Sequence, residues 1–323
     1  MTKINFKGPL FIVGMPRSGT KLLVGLLNQH PEINIPPAES RFIPAMVAKF
    51  GNTPSFDNAD EFERFYQAYT ETTFYWYMKR LNIILTKESL EKQIQKKSWS
   101  SIFKTILKYN VLSTKNNDAI WGDKSPYYLT KMKLLNEIFE NARFLHILRD
   151  PRDCCLSRKK AWGANIYSTA TGWRNCIEIA RSDAIDLKER YKEIYYESLL
   201  NETKKTLEDI CRFLEIDYSN RMTYLDRSCE PLGDAKGVKA VMKNNTNKYK
   251  NELSNNEIKK IEEIVFPTMC NTIYKFEYAQ TFIPMNKIKL KFYKKLDRWN
   301  RLLFDIKTKG LKEGWNFYFK ITK

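Results

Sequence analysis

The stretch Pro9-Leu-Phe-Ile-Val-Gly14-Met-Pro-Arg17-Ser18-Gly19-Thr20-Lys21 constrains the fold more than any other part of the chain. An apolar run closed by Gly14 reads as a short buried strand, and Leu22, Leu23, Leu26 and Leu27 follow at helical spacing over 20–29. The loop between them turns successive backbone N–H groups toward one point, where the helix N-terminus adds partial positive charge. A strand, loop and helix of this kind cradle a phosphate-like anion.

The alternation recurs downstream. Phe144-Leu-His-Ile-Leu148 is continuously apolar, as expected of a parallel strand covered on both faces. Ile194-Tyr-Tyr196 leads into 201–214, where Leu207, Ile210 and Leu214 mark one helical face and Asn201 is the expected cap. Strands alternating with helices predict a three-layer α/β fold around a parallel sheet. Between the first two strands, Phe62, Phe65, Tyr69, Phe74 and Tyr77 recur at helical intervals. They predict a helical insertion over about 57–110, serving either as a wall of an acceptor pocket or as ordinary core.

A chain of 323 residues with 43% hydrophobic and 28% charged side chains fits one large α/β domain or two smaller ones, and excludes a fibrous or disordered chain. No apolar run approaches the roughly 18 residues of a spanning helix. Residues 1–14 carry no small-residue cleavage site, so neither secretion nor membrane spanning is expected. Six Cys without a Cys-x-x-Cys pair, two of them adjacent at Cys154 and Cys155, predict reduced thiols in a cytoplasmic compartment and no metal site. Lys and Arg outnumber Asp and Glu 55 to 37, so a net charge of +18 favours an anionic partner. Half of that excess, 12 basic against 3 acidic residues, lies in 281–323. The expected division is a domain over 1–280 and a basic, aromatic tail over 281–323.

The order Gly19-Thr20-Lys21 reverses the Gly-Lys-Ser/Thr of the common nucleoside-triphosphate loop, which argues against an ordinary NTPase. The segment instead resembles the first signature of the sulfotransferases that use 3′-phosphoadenosine 5′-phosphosulfate (PAPS), a family whose fold is P-loop nucleoside triphosphate hydrolase-like. The resemblance implies that Arg17, Ser18, Gly19, Thr20 and Lys21 hold the 5′-phosphosulfate end, with Arg17 on the transferring group. Lys21 stands where the family more often has a second Thr.

A donor with a separate 3′-phosphate needs a second basic site. Phe144 to Leu148 runs into Arg149-Asp-Pro-Arg-Asp, with Ser157 eight residues after Arg149. An Arg leaving a buried strand and a Ser on the next helix can converge on one phosphate. The pair is similar to the family's 3′-phosphate signature. Tyr196-Glu-Ser-Leu199 resembles its Tyr-Glu-x-Leu element, which puts the Tyr196 ring by the adenine, and Asn247-Lys248-Tyr249 resembles its late basic segment, with Lys248 on the donor.

In-line sulfuryl transfer demands positioning and charge stabilisation. The resemblance of Trp121-Gly-Asp-Lys124-Ser-Pro126 to the family's Lys-Thr-Pro element makes Lys124 a second cation beside Arg17 at the leaving oxygen, with no metal required. The acceptor hydroxyl must also lose a proton, which calls for a base. His146 sits inside an apolar strand and His30 precedes Pro31 at a helix end, so both read as structural. Ala38-Glu39-Ser-Arg-Phe-Ile-Pro44 is similar to the catalytic segment of tyrosylprotein sulfotransferases, whose Glu is the base. Glu39 is the candidate, and Asp123 is the alternative carboxylate.

The expected acceptor is a glycan or glycolipid hydroxyl, ahead of a small metabolite or a peptide tyrosine; an ATP-dependent P-loop kinase is the competing class, and no specific nucleic acid is expected. In the tail, Phe292, Leu296, Trp299 and Leu303 share one helical face among Lys and Arg. That helix either lies on an anionic membrane surface or packs on the body.

Overall fold

A computed structural model describes residues 6–322 except 55, 57–58, 95, 97, 113–117, 230–231 and 233–234. Five parallel strands, β1 (Leu10–Val13), β2 (Ile33–Asn34), β3 (Ile120–Lys124), β4 (Arg143–Leu148) and β5 (Tyr191–Tyr195), form one sheet in the order β2-β3-β1-β4-β5. The expected three-layer α/β architecture is present. Period-two alternation explains the layers. Leu10 and Ile12 of β1 face one core with Leu145, Ile147 and the helices Thr20–Leu27 and Thr203–Leu214; Phe11 and Val13 face the other with Phe144 and the insertion helices. All four β1 side chains are fully buried, each contributing about 1.5–3 kcal/mol.

The helical insertion comprises Ala59–Thr70, Thr73–Arg80, Lys87–Gln93 and Trp99–Tyr109. Thr72, Thr86 and Ser98 start the last three, each accepting a hydrogen bond from a backbone N–H in the first turn. Phe62, Phe65, Tyr69 and Phe74 are core residues, whereas Tyr77 is 43% exposed. The aromatic periodicity therefore mixes both roles, and residues 57–58 at the expected start lie outside the described residues.

One helix differs from expectation. Asn201 caps nothing: it ends the helix Tyr196–Asn201, and Thr203–Leu214 begins after a bend at Glu202. The Thr203 hydroxyl donates to the carbonyl of Leu199 at 2.8 Å, serving the end of the first helix.

Residues Lys287–Lys309 and Leu311–Thr322 form a helical hairpin that packs on the body. Asp297 accepts from Asn165 N at 2.7 Å and from the Ser168 hydroxyl, Asn300 donates to Gly163 O at 2.8 Å, and Phe317 meets Trp76 at 5.4 Å. The opposite face keeps Ile288, Phe292, Leu296, Trp299 and Leu303 exposed.

Parallel register brings the carboxyl ends of β1, β3 and β4 to one edge, where Ile12 pairs with Lys124 and Val13 with His146. The strand order reverses at β1, so the loops leaving β1 and β4 open a crevice at this edge.

Candidate functional site

The loop 14–19 is shaped by left-handed backbone at Arg17 (φ 80°) and Gly19 (φ 95°), and Ser18 N donates to Met15 O at 3.0 Å. No side chain caps the helix Thr20–Leu27 and no acid stands in its first turn, so its N-terminal end presents uncompensated partial positive charge toward the loop. Gly19 is fixed twice: by its φ, and by Tyr196, whose ring carbon would lie 2.4 Å from an added Cβ.

Arg149, leaving β4, reaches back to this loop. Its NH1 donates to Arg17 O at 3.1 Å and its NH2 to Asn245 O at 3.0 Å, while the guanidinium stacks 4.5 Å over the Tyr196 ring. Arg149 Nε is buried without a partner among the described residues. Asn245 Nδ2 donates to the Tyr196 hydroxyl at 2.8 Å. Asp153 accepts from Asn247 N at 2.8 Å and Tyr249 N at 3.1 Å, holding the segment that carries Lys248. Arg17, Gly19, Arg149, Ser157, Tyr196 and Lys248 thus line one cleft, whose apolar wall includes Leu22, Leu156 and Leu225. Ser18 is buried beneath the loop, with its hydroxyl 3.4 Å from Cys154 Sγ.

A second cleft of about 560 Å³ shares Arg17 and Gly19 with the first and adds Thr20, Lys21, Glu39 and Lys124. Lys124 Nζ donates to Glu39 Oε1 at 2.8 Å; Lys124 is 1% exposed and Glu39 30%. Burial alone would raise the Glu39 pKa, but Lys124, Arg41 and Lys21 together win and hold the carboxylate below its usual range. Glu39 is therefore ionised at neutral pH.

Asp123 takes a different place. Neighbouring residues of a strand point to opposite faces, so while Lys124 lines the cleft Asp123 is fully buried and does not. Its Oδ1 accepts from Ser40 N at 3.1 Å, fixing the loop that carries Glu39, and Tyr128 supports that loop through the Ser40 hydroxyl at 2.7 Å. Burial pushes the Asp123 carboxyl up to about 6 against the hydrogen bond from Ser40 N.

Arg17 stands where the two clefts meet. It lines the second cleft with Lys124, as expected, and its guanidinium also reaches the first, donating from Nε to Ser157 Oγ at 3.2 Å and from NH2 to Leu232 O at 3.0 Å. Both His are structural: His146 Nδ1 lies 2.6 Å from the Tyr191 hydroxyl, and His30 is bonded to Asp217 O at 2.7 Å and accepts from Glu32 N at 3.0 Å. Among the described residues no cluster of His, Cys, Asp or Glu is placed to hold a metal ion.

Tyr77, one of the insertion aromatics expected as pocket wall or core, lines the second cleft, as does Arg41 of the Glu39 segment. Other site residues carry no sequence signal: Asn245 braces the first cleft with Asp153, and Tyr127, Arg158 and Trp162 line the second beside Arg301, Phe304 and Phe317 of the hairpin. Isolated Arg and aromatic residues from distant segments become a wall only through tertiary packing.

A model of the sulfotransferase family matches residues 9–220, which include the loop, Glu39, Lys124, Arg149, Ser157 and Tyr196. The chain belongs to that family. Protein-tyrosine sulfotransferase 2 of Gallus gallus is 25% identical over 238 residues, 71% of this chain and 56% of the relative. Protein-tyrosine sulfotransferase 1 of Danio rerio is 25% identical over 236 residues, 71% of this chain and 58% of the relative. The sulfotransferase chain thus spans little more than half the length of these curated relatives. Among solved structures, the sulfotransferase domain of the Synechococcus PCC 7002 olefin synthase aligns with a TM-score of 0.49 at 20% identity, covering 82% of this chain and 95% of that one.

Proposed function

We propose that this sulfotransferase moves a sulfuryl group from PAPS to an acceptor hydroxyl. The observation that carries the proposal is the continuity of the two clefts through Arg17 and Gly19, with the Glu39–Lys124 pair on one side and Arg149 with Ser157 on the other. The residues fit such a donor. Arg149 Nε is an orphaned buried donor in the first cleft, the uncapped helix start suits a sulfated 5′-phosphate, and the apolar wall with Tyr196 suits a base ring. Arg149, Ser157 and Lys248 would hold the 3′-phosphate.

PAPS supplies an activated sulfuryl group. The chain's part is electrostatic: Lys124 and Lys21 stabilise charge that develops on the leaving 5′-phosphate oxygen. Glu39 accepts the acceptor's proton as the new O–S bond forms and the S–O bond to the 5′-phosphate breaks, leaving sulfated acceptor and adenosine 3′,5′-bisphosphate (PAP). Lys124 loses its contact with Glu39 as that carboxyl is neutralised, and is then free to serve the phosphate. Family membership speaks against the ATP-dependent kinase alternative.

For the acceptor, a glycan or glycolipid hydroxyl remains the reading. The exposed hairpin stripe, flanked by Lys291, Lys294, Lys295 and Arg298, suits an anionic membrane surface on the cytoplasmic side. The names of the relatives favour a second reading, a peptide tyrosine. The test is transfer of radiolabelled sulfate from PAPS to glycans, glycolipids, phenols and tyrosine peptides. Product in any arm, with loss in Glu39→Gln, supports the proposal; no turnover in any arm together with no PAP binding overturns it.

A further inference from the structure

The second cleft holds a group of side chains that the transfer step leaves unused. Arg158 and Trp162 stand on the last turns of the helix Pro151–Trp162, and Arg301 comes from the hairpin. Both guanidiniums face one ring: Arg158 lies 5.2 Å and Arg301 4.9 Å from the centre of Trp162. Arg301 is held in place by Asp305, with Nε donating to Oδ2 at 2.9 Å. Arg158 has no ion pair among the described residues, and its Nε and the Trp162 Nε1 are buried donors without an acceptor.

The neighbouring carboxylates are already engaged. Asp297 gives one oxygen to Asn165 N at 2.7 Å and the other to the Ser168 hydroxyl. Asp305, fully buried, is shared by Arg301 and by Lys309, whose Nζ donates to it at 2.6 Å. Burial pushes the Arg158 pKa down, an effect that Cys154, Cys155 and Asp297 oppose only in part and to which Arg301 adds a smaller repulsion. Two like charges on one ring, together with two orphaned donors on Arg158 and Trp162, form a site that gains from an anion. Phe304 and Phe317 add apolar surface beside it in the same cleft.

We propose that Arg158, Trp162 and Arg301 form an anion subsite, which takes a phosphate or carboxylate group carried by the acceptor away from the hydroxyl that is sulfated. The proposal deepens the transferase reading and rests on it for the cleft's role as acceptor site. Arg158 and Trp162 lie within the family match over 9–220, and Arg301 lies beyond it.

The test titrates the full chain, saturated with PAP, with phenyl phosphate, benzoate and phenol, in wild type and in Arg158→Gln, Arg158→Lys and Arg301→Gln. Phenyl phosphate or benzoate is expected to bind at least tenfold tighter than phenol. Arg158→Gln and Arg301→Gln should each abolish that preference, Arg158→Lys should keep part of it, and PAP affinity should stay within twofold in all variants. The order of phenyl phosphate and benzoate distinguishes a phosphorylated from a carboxylated acceptor. Equal binding of phenol and both anions, or anion binding unchanged in both Gln variants, overturns the subsite. If PAP itself does not bind wild type, the donor reading fails instead, and the same titrations without PAP in an Arg17→Ala background still decide whether Arg158 holds an anion.

Discussion

Gly19→Ala tests the most tightly determined point of the site. The residue's φ of 95° costs an L side chain about 1–2 kcal/mol. The new Cβ would also meet Tyr196 Cδ2 at 2.4 Å and Cε2 at 2.6 Å. That ring cannot swing aside freely, because Arg149 stacks on it at 4.5 Å and Asn245 bonds its hydroxyl at 2.8 Å. Forcing it to move is an overpacking change of about 1–3 kcal/mol. The expected loss is therefore about 2–5 kcal/mol, a large share of the roughly 5–15 kcal/mol typical of a folded protein. Equilibrium denaturation of Gly19→Ala, Tyr196→Leu and the double variant measures it. If the clash is the cause, the double variant should be more stable than the sum of the single losses implies, by about 1–3 kcal/mol. Additivity within about 0.5 kcal/mol would refute the reasoning.

Four further outcomes follow from the geometry. Glu39→Gln should keep PAP affinity within a few fold while lowering kcat by roughly 100- to 10,000-fold, measured with labelled PAPS. Because neighbouring cations hold the Glu39 carboxyl below its usual range, its charged form is lost only as pH falls under that range, so the acid limb of kcat/KM should lie there; a limb near pH 6 would point to Asp123 instead, whose carboxyl is pushed up to about 6. Asp123→Asn, which can still accept from Ser40 N, should retain most activity, whereas Asp123→Ala should cost about 1–3 kcal/mol of stability by orphaning that N–H, read by denaturation. Vesicles containing phosphatidylserine should sediment the protein in a salt-dependent manner, and Phe292→Ser with Trp299→Ser should weaken this, while neutral vesicles should not; equal binding of the variant would remove the hairpin from that role.

The first strand, its loop and its helix were legible because each local signal agrees: continuous hydrophobicity, a loop that admits left-handed backbone, then helical spacing. β4 and Arg149 were legible for the same reason. β3 was visible only as a motif around Lys124. Its Gly122, Asp123 and Lys124 have poor strand propensity, and tertiary contact overrides this: Leu10 O would lie 1.9 Å from a Cβ at Gly122, so only glycine lets the two backbones pair. The Glu39 segment was found by resemblance, but its tether to Asp123 crosses 83 residues and leaves no pattern in the sequence. The tail's exposed stripe was periodic and legible; its inner contacts through Asp297 and Phe317 depend on partners scattered from Trp76 to Ser168. Local propensity fixes the cradle, whereas the acceptor wall exists only once distant segments have packed.

The central claim is that one nucleotide carrying phosphates at two ends spans both clefts. Calorimetric titration of the full chain with PAP, and separately with ATP and magnesium, tests it most directly. PAP should bind without metal and more tightly than ATP, and Arg149→Ala should weaken PAP by roughly 10- to 100-fold, as the loss of a charge-assisted contact requires. Tighter binding of ATP with magnesium, or PAP affinity indifferent to Arg149, would contradict the account.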